Sequence, residues 1–125
     1  KNQIKYLNSD EFSDDSPADS LPMNMEAVYW ESIKDYDQVK TAKKYTNPIL
    51  ILQGERDYQV TMDDLAIWRK ELGGKGNVKF VTYQDLNHLF MTGKGKATPS
   101  EYEKSGNMDY QVIQDIFKWI KSIKD

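Results

Sequence analysis

The amino-acid sequence predicts an α/β fold with parallel strands, and three features of the chain support this. Residues 49–52 form an aliphatic run without alternation that closes at Gly54, which is typical of a strand buried on both faces. An amphipathic helical pattern follows from Thr61 to Leu72. Val78–Tyr83 is then rich in β-branched and aromatic residues, as strands are. This order implies two parallel strands joined by a right-handed crossover.

Two helices are predicted before the first strand. Asn24 is a residue type that caps helices, and the apolar residues after it share one helical face: Met25, Val28, Tyr29 and Ile33. Asp37 is placed to cap a shorter helix with an apolar side made of Val39, Ala42 and Tyr45. Residues 8–19 are acidic and nearly devoid of aliphatic side chains, so we expect a loop there.

Two further helices are predicted after the first strand. Thr61 and Asp64 have the spacing of a capping box, and Gly73 and Gly74 indicate an ending in the left-handed conformation. The last helix is predicted from about Asn107, with a broad apolar stripe: Val112, Ile113, Ile116, Phe117, Ile120 and Ile123. Lysines lie near its C-terminal end, where positive charge is favourable: Lys118, Lys121 and Lys124.

The charge divides the chain into two parts. Residues 1–46 hold nine acidic and six basic side chains, a balance of −3, whereas residues 47–125 hold eleven of each. We predict a cap-like or linker-like segment with short helices over residues 1–46, and a strand–helix–strand–helix core over residues 47–125. Two parallel strands are too few to stand alone. We therefore expect an incomplete sheet, belonging to a longer protein.

Composition argues against several classes of function. The 125 residues include 17 basic and 20 acidic side chains, a net charge of −3, which predicts neither a nucleic-acid surface nor an anionic-membrane surface. No apolar run approaches the roughly 20 residues that span a bilayer. No signal-peptide pattern is visible, which slightly favours a cytoplasmic location. With one histidine and no cysteine, we expect no metal and no cofactor.

Polar residues follow both predicted strands, where open parallel sheets gather functional groups. Asp57 comes after the first strand and His88 after the second. Adjacent strands lie about 4.8 Å apart, so we expect these two side chains to be able to meet. A carboxylate beside an imidazole fixes its tautomer and stabilises its protonated form, which prepares the ring as a general base.

Each candidate also has an ordinary structural explanation. An Asp in a turn commonly bonds its own backbone, and a single His in a polar loop is commonly a surface residue. Glu55 and Asp85 are alternative orienting acids, ranked second and third after Asp57. Residues 93–98 (GKGKAT) suggest a phosphate loop but lack its spacing, so a flexible basic loop is the expected structure.

Residues 47–60 (NPILILQGERDYQV) and 86–90 (LNHLF) resemble the last third of the α/β-hydrolase fold. The similarity is greatest to bacterial esterases and acyl-peptidase-like serine hydrolases, and it covers about residues 25–125. The resemblance implies a catalytic acid at Asp57, a catalytic histidine at His88 and a long closing helix over residues 107–124. Tyr58 and Phe90 flank the two groups, where they either line an acyl pocket or serve packing.

The sequence departs from this family at the nucleophile. The family places its serine in G-x-S-x-G upstream of the acid. No such segment surrounds any of the eight serines of the chain: Ser9, Ser13, Ser16, Ser20, Ser32, Ser100, Ser105 and Ser122. We therefore expect the C-terminal portion of a serine hydrolase, supplying the acid and base of a Ser-His-Asp triad and inactive alone.

The expected substrate is a small carboxylic ester, with an acyl-peptide as the less favoured choice. The alternative is a non-catalytic fragment or interaction module that associates through an exposed sheet edge. Its partner is then either a second copy of the chain or the missing N-terminal portion. An exposed half-sheet predicts an isolated chain that is oligomeric, exchanged with a partner or only partly folded.

Overall fold

The computed structural model describes residues 2–123. The helices and strands run in the order α1 (Asn2–Leu7), α2 (Ala27–Ile33), α3 (Gln38–Lys44), β1 (Ile49–Gly54), α4 (Met62–Leu72), β2 (Val78–Tyr83) and α5 (Tyr110–Ser122). Three 3-10 turns accompany them, at Ala18–Ser20, Pro22–Asn24 and Pro99–Glu103. The chain divides into two compact units between Gln38 and Val39, eight residues before the predicted boundary at residue 46.

The strands of the second unit pair in parallel. β1 and β2 are hydrogen-bonded neighbours, with Ile49 opposite Val78 and Gly54 opposite Tyr83. α4 connects them, so the strand–helix–strand order and the parallel pairing confirm the predicted α/β class. Within residues 2–123 the sheet has two strands. Because both carboxyl ends lie at one edge of the sheet, the loops after Gly54 and Tyr83 emerge side by side.

Burial along β1 differs from the sequence prediction. Its four aliphatic residues are half-buried, and only Gln53 and Gly54 at its end are buried. The faces of a parallel strand are buried when helices cover both sides of the sheet, and the aliphatic residues of β1 are only partly covered. The buried apolar residues of this unit lie on its helices and loops: Val39, Leu65, Leu72, Leu86, Ala97 and Val112. The best-buried part of β1 is therefore the end that leads into the candidate site.

α4 begins as predicted but ends differently. The carboxylate of Asp64 accepts hydrogen bonds from the Thr61 N–H (2.7 Å) and the Thr61 hydroxyl (2.9 Å), which caps the first turn. Gly73 has a φ of −61°, so the left-handed ending is wrong. Its N–H donates to the carbonyl of Arg69, which continues the right-handed winding by one residue. A Cβ at Gly73 would lie 2.5 Å from that oxygen, so the glycine is required by space.

α5 begins three residues after the predicted start at Asn107. Asp109 is its N-cap, with a side chain that accepts from the Gln111 N–H at 2.8 Å. The Asp109 N–H donates to the Phe90 carbonyl at 2.8 Å, which ties the cap to the loop after β2. Val112 of the predicted stripe is fully buried. The predicted end of the helix, including Lys124, lies outside the described residues.

The first unit contains a small apolar core. Leu7, Leu21 and Ala27 are buried, and Tyr6, Phe12 and Trp30 pack against them. α1, which carries Leu7, was not predicted from the sequence. Residues 8–17 have no helix or strand, as expected of the acidic segment, and a 3-10 turn follows them.

The helix start predicted at Asn24 is wrong. Met23 and Asn24 have positive φ angles of 59° and 52°, which is not the extended conformation of an N-cap. α2 begins instead at Ala27, after Glu26. α3 begins directly after Asp37, as predicted.

No helix among residues 2–123 combines the length and the apolar character needed to cross a membrane.

The end of β1 contacts the loop after β2 through the backbone. A Cβ added to Gly54 would lie 2.4 Å from the Leu86 carbonyl oxygen and 2.6 Å from that of Asn87. Both obstacles are main-chain atoms, which cannot move aside as a flexible side chain can. The Arg56 N–H also donates to the Leu86 carbonyl at 3.0 Å. A glycine is therefore needed for the two loops to meet.

We expect Gly54→Ala to lower the free energy of unfolding by about 1–3 kcal/mol, because overpacking forces backbone shifts. Urea unfolding followed by tryptophan fluorescence measures this loss. Gly76→Ala is the matched control, since a Cβ there meets nothing within 4 Å. Equal stabilities for the two variants would show that the close approach at Gly54 is not required.

Candidate active site

Asp57 lies in the turn that follows β1. Its Oδ1 accepts hydrogen bonds from the backbone N–H groups of Gln59 (2.8 Å) and Val60 (3.0 Å). Asp side chains commonly bond the backbone of their own turn in this way. The Asp57 N–H donates to the Gly54 carbonyl at 3.1 Å. The side chain of Asp57 is only 5% exposed. The hydrogen bonds from its own turn fix the orientation of the carboxylate.

Gln53 supports the same turn from the end of β1. This buried side chain donates through Nε2 to the carbonyls of Gly54 (3.0 Å) and Val60 (2.9 Å). The same nitrogen lies 3.4 Å from Oδ2 of Asp57. A buried amide must satisfy its donors within the protein. These bonds hold the turn against the strand end and keep Asp57 in place.

His88 lies in residues 84–92, after β2, and its ring contacts Asp57. Nδ1 of His88 is 2.7 Å from Oδ2 of Asp57. When the carboxylate is ionised, Nδ1–H is the donor, and the neutral ring then carries its acceptor lone pair on Nε2. The side chain of His88 is 39% exposed, against 5% for Asp57. The pair thus consists of a buried acid behind an accessible imidazole.

The surroundings of Asp57 favour its charged form. Burial by itself raises the pKa of the Asp57 carboxyl, because it disfavours charge. The hydrogen bonds from the Val60 N–H, the His88 ring and the Gln59 N–H outweigh burial, and the pKa of Asp57 lies below its usual value of 3.8. Asp57 is therefore ionised at neutral pH, which is the state that accepts Nδ1–H from His88.

The two alternative carboxylates do not contact His88. Glu55 and Asp85 are both exposed, and in the described part of the chain no hydrogen bond joins either side chain to the imidazole. Asp85 uses its backbone instead, because its carbonyl accepts from the Gly93 N–H at 2.9 Å. Of the three carboxylates considered, the structure brings Asp57 to His88 and leaves the other two apart.

The flanking aromatic residues make ring contacts. Tyr58 stacks on Tyr102 with ring centroids 5.9 Å apart, and Phe90 meets Tyr83 edge-on at 6.1 Å. Tyr58 also lines an open depression of about 800 Å³ beside Asp57. Packing accounts for both residues, and the position of Tyr58 at the depression is also compatible with a role in a substrate pocket.

Three polar residues that sequence reasoning did not single out also lie at this site: Arg56, Asn87 and Glu101. Arg56 and Asn87 are buried, and each donates to a different oxygen of the Glu101 carboxylate, at 2.5 Å and 3.1 Å. Arg56 and Asn87 directly precede Asp57 and His88, and this adjacency is the one feature of the sequence that points to them. Hydrogen bonds between residues 45 positions apart leave no periodic pattern in the sequence.

The loop of residues 93–98, expected to be flexible, is tied to Arg56. The guanidinium donates to the carbonyls of Gly95 (2.6 Å) and Lys94 (3.4 Å). Backbone carbonyls of this loop therefore satisfy a buried cation. Residues 2–123 contain no group of three or more His, Cys, Asp or Glu side chains arranged to hold a metal ion.

We expect Asp57 to stabilise the fold in a pH-dependent way. Its folded-state pKa is lowered, so its contribution is present above the usual value of 3.8 and is lost as the pH falls through the folded-state pKa. Asp57→Asn should therefore be less stable than the original chain at pH 6, with the difference shrinking toward pH 2. Urea unfolding across this range measures it. A difference that is constant with pH would contradict the role assigned to the carboxylate.

The sequence profile of the Prolyl oligopeptidase family matches residues 8–121. Esterase EstD of Thermotoga maritima is 44% identical to the chain over 104 residues, which are 83% of this chain and 25% of that esterase. The chain thus spans about a quarter of the length of this relative.

The family match covers both loops of the candidate site. Together with the identity to the esterase, it confirms the predicted resemblance to α/β-hydrolases of the esterase type. No solved structure matches the chain. Since the family profile extends over nearly the whole sequence, the chain belongs to the prolyl oligopeptidase family, within the α/β-hydrolase fold.

Proposed function

We propose that this chain supplies the acid, Asp57, and the general base, His88, of a serine hydrolase. The observation that supports this most strongly is the 2.7 Å contact between Nδ1 of His88 and Oδ2 of Asp57. Two backbone N–H groups already hold the other carboxylate oxygen, and only the imidazole is well exposed. A fixed carboxylate behind an exposed imidazole is the arrangement in which an acid orients a catalytic histidine.

The proposed reaction is acyl transfer through a serine contributed by another part of a longer polypeptide, since no G-x-S-x-G segment is present in residues 1–125. Nε2 of His88 accepts the serine proton as the oxygen bonds to the carbonyl carbon. The imidazolium is stabilised by Asp57 and then gives this proton to the departing alcohol or amine. A water molecule releases the acyl group by the same proton transfers.

We propose carboxylic esters as the substrates. The relative with 44% identity is described as an esterase, whereas the family takes its name from an oligopeptidase. Ester and amide hydrolysis use the same acid and base and differ in the leaving group. The described residues of the site supply proton transfer for either reaction, and the name of the relative favours the ester.

The test uses the parent polypeptide, meaning the longest natural polypeptide that contains residues 1–125. We expect His88→Ala and Asp57→Asn each to lower kcat for a p-nitrophenyl ester about a thousandfold or more, because each removes one part of the proton relay. Residues 1–125 alone are expected to give no turnover. Initial rates by absorbance measure both effects.

Glu55→Gln and Asp85→Asn are the controls, because they neutralise the two carboxylates that the structure leaves apart from His88. We expect each to change kcat less than threefold, roughly the effect of a surface charge. Undiminished turnover in His88→Ala would refute the general base. A loss in Glu55→Gln as large as that in Asp57→Asn would reassign the acid.

A second proposal concerns association, and it is supported by the exposed apolar face of α5. The side chains of Ile113, Phe117 and Ile120 are 48%, 60% and 55% exposed. Three large apolar residues at helical spacing form a contiguous patch, which in soluble proteins marks a contact surface. We propose that this face is covered by another apolar surface, which for the isolated chain is a second copy.

For residues 1–125 alone, we expect a sedimentation coefficient that rises with protein concentration. Phe117→Glu should shift the equilibrium toward monomer, since it places a charge in the apolar contact. Gln111→Glu adds the same charge at an exposed polar position of α5 and should leave association unchanged. Monomeric sedimentation of the original chain at all concentrations would rule out self-association.

A further inference from the structure

Arg56, directly before Asp57, is a buried cation, and each of its three guanidinium nitrogens has a hydrogen-bond partner in the protein. Its side chain is 7% exposed. Nε–H donates to the Gly95 carbonyl at 2.6 Å, and Nη2 lies 2.5 Å from Oε1 of Glu101. A buried charge is tolerated only when it is paired and hydrogen-bonded. Glu101 is therefore the counter-ion that this position requires.

Asn87, directly before His88, occupies the corresponding place in the other loop. It is 1% exposed. Its Nδ2 donates to Oε2 of Glu101 at 3.1 Å. Its Oδ1 accepts from the backbone N–H groups of Leu89 (3.0 Å) and Met91 (3.1 Å). The side chain of Asn87 thus holds the backbone on the C-terminal side of His88 in one conformation.

Glu101 consequently joins two positions that each precede a member of the proposed catalytic pair. One oxygen binds the residue before Asp57, and the other binds the residue before His88. Consecutive Cα atoms are about 3.8 Å apart. Fixing residues 56 and 87 through one rigid carboxylate therefore restricts the separation of the acid and the base themselves.

Charge supports this arrangement. The hydrogen bonds from Asn87 and Arg56 lower the pKa of the Glu101 carboxyl. Glu101 is thus ionised at neutral pH, the state in which both of its oxygens act as acceptors. The second bond comes from the buried amide next to His88, so that a single carboxylate is shared between the two loops.

We propose that Glu101 is a positioning residue, whose carboxylate fixes the acid loop and the histidine loop at the spacing needed for the bond between Asp57 and His88. This inference rests on the proposed function and deepens it. Glu101 lies outside both loops, in the 3-10 turn Pro99–Glu103. Its contribution is made through His88 and Asp57, with no contact to the reacting atoms.

The test measures ester turnover by variants of the parent polypeptide. We expect Glu101→Ala to lower kcat about ten- to hundredfold with KM little changed, since a misplacement of about 1 Å between catalytic groups costs up to a hundredfold. Glu101→Gln keeps one acceptor oxygen and should lose several-fold. Glu103→Ala is the matched control, because Glu103 is an exposed carboxylate of the same turn.

A double-variant measurement separates positioning from general destabilisation. In the His88→Ala background, Glu101→Ala should cause no further fall in residual turnover, because the group being positioned is already gone. A further fall in that background overturns the inference, as does a Glu101→Gln variant equal to the original enzyme. If His88→Ala itself keeps full turnover, the proposed function fails. If His88→Ala loses turnover but Glu101→Ala leaves kcat unchanged, the positioning role fails and the proposed function stands.

Discussion

The hydrogen bond between Asp57 and His88 depends on the parallel register of the two strands. Because Gly54 lies opposite Tyr83, the chains leaving β1 and β2 emerge at the same edge of the sheet. Gly54 then admits the backbone of the histidine loop to a distance that any side chain would prevent. The 2.7 Å contact is a consequence of this approach, and the proposed chemistry depends on it in turn.

Much of the second unit could be predicted because its signals are local. The aliphatic run of β1, the Thr61–Asp64 cap and the apolar period of α5 are each visible within a few residues of sequence. The meeting of Asp57 and His88 followed from one topological rule, that functional groups gather at the carboxyl ends of parallel strands. The sequence ranks Asp57 above Glu55 as the partner of His88, and in the structure Asp57 contacts the ring.

What the sequence could not indicate depends on partners distant along the chain. Arg56 and Asn87 are buried because Glu101 binds both, and no spacing rule relates these three positions. The left-handed ending predicted for α4 is wrong because glycine suits both a left-handed cap and a close contact. At Gly73 the residue is needed for its close approach to the Arg69 carbonyl. The start of α2 was misjudged because Asn24 adopts a left-handed turn conformation in place of a cap.

The most direct test of the central claim is NMR of the imidazole nitrogens of residues 1–125, whose only histidine is His88. In a chain whose amide spectrum shows a folded sheet, we predict that Nδ1–H of His88 donates to Asp57 and gives a strongly deshielded N–H signal, which Asp57→Asn removes. A freely exchanging ring, unchanged by Asp57→Asn in an equally folded chain, would contradict the proposed acid–base pair.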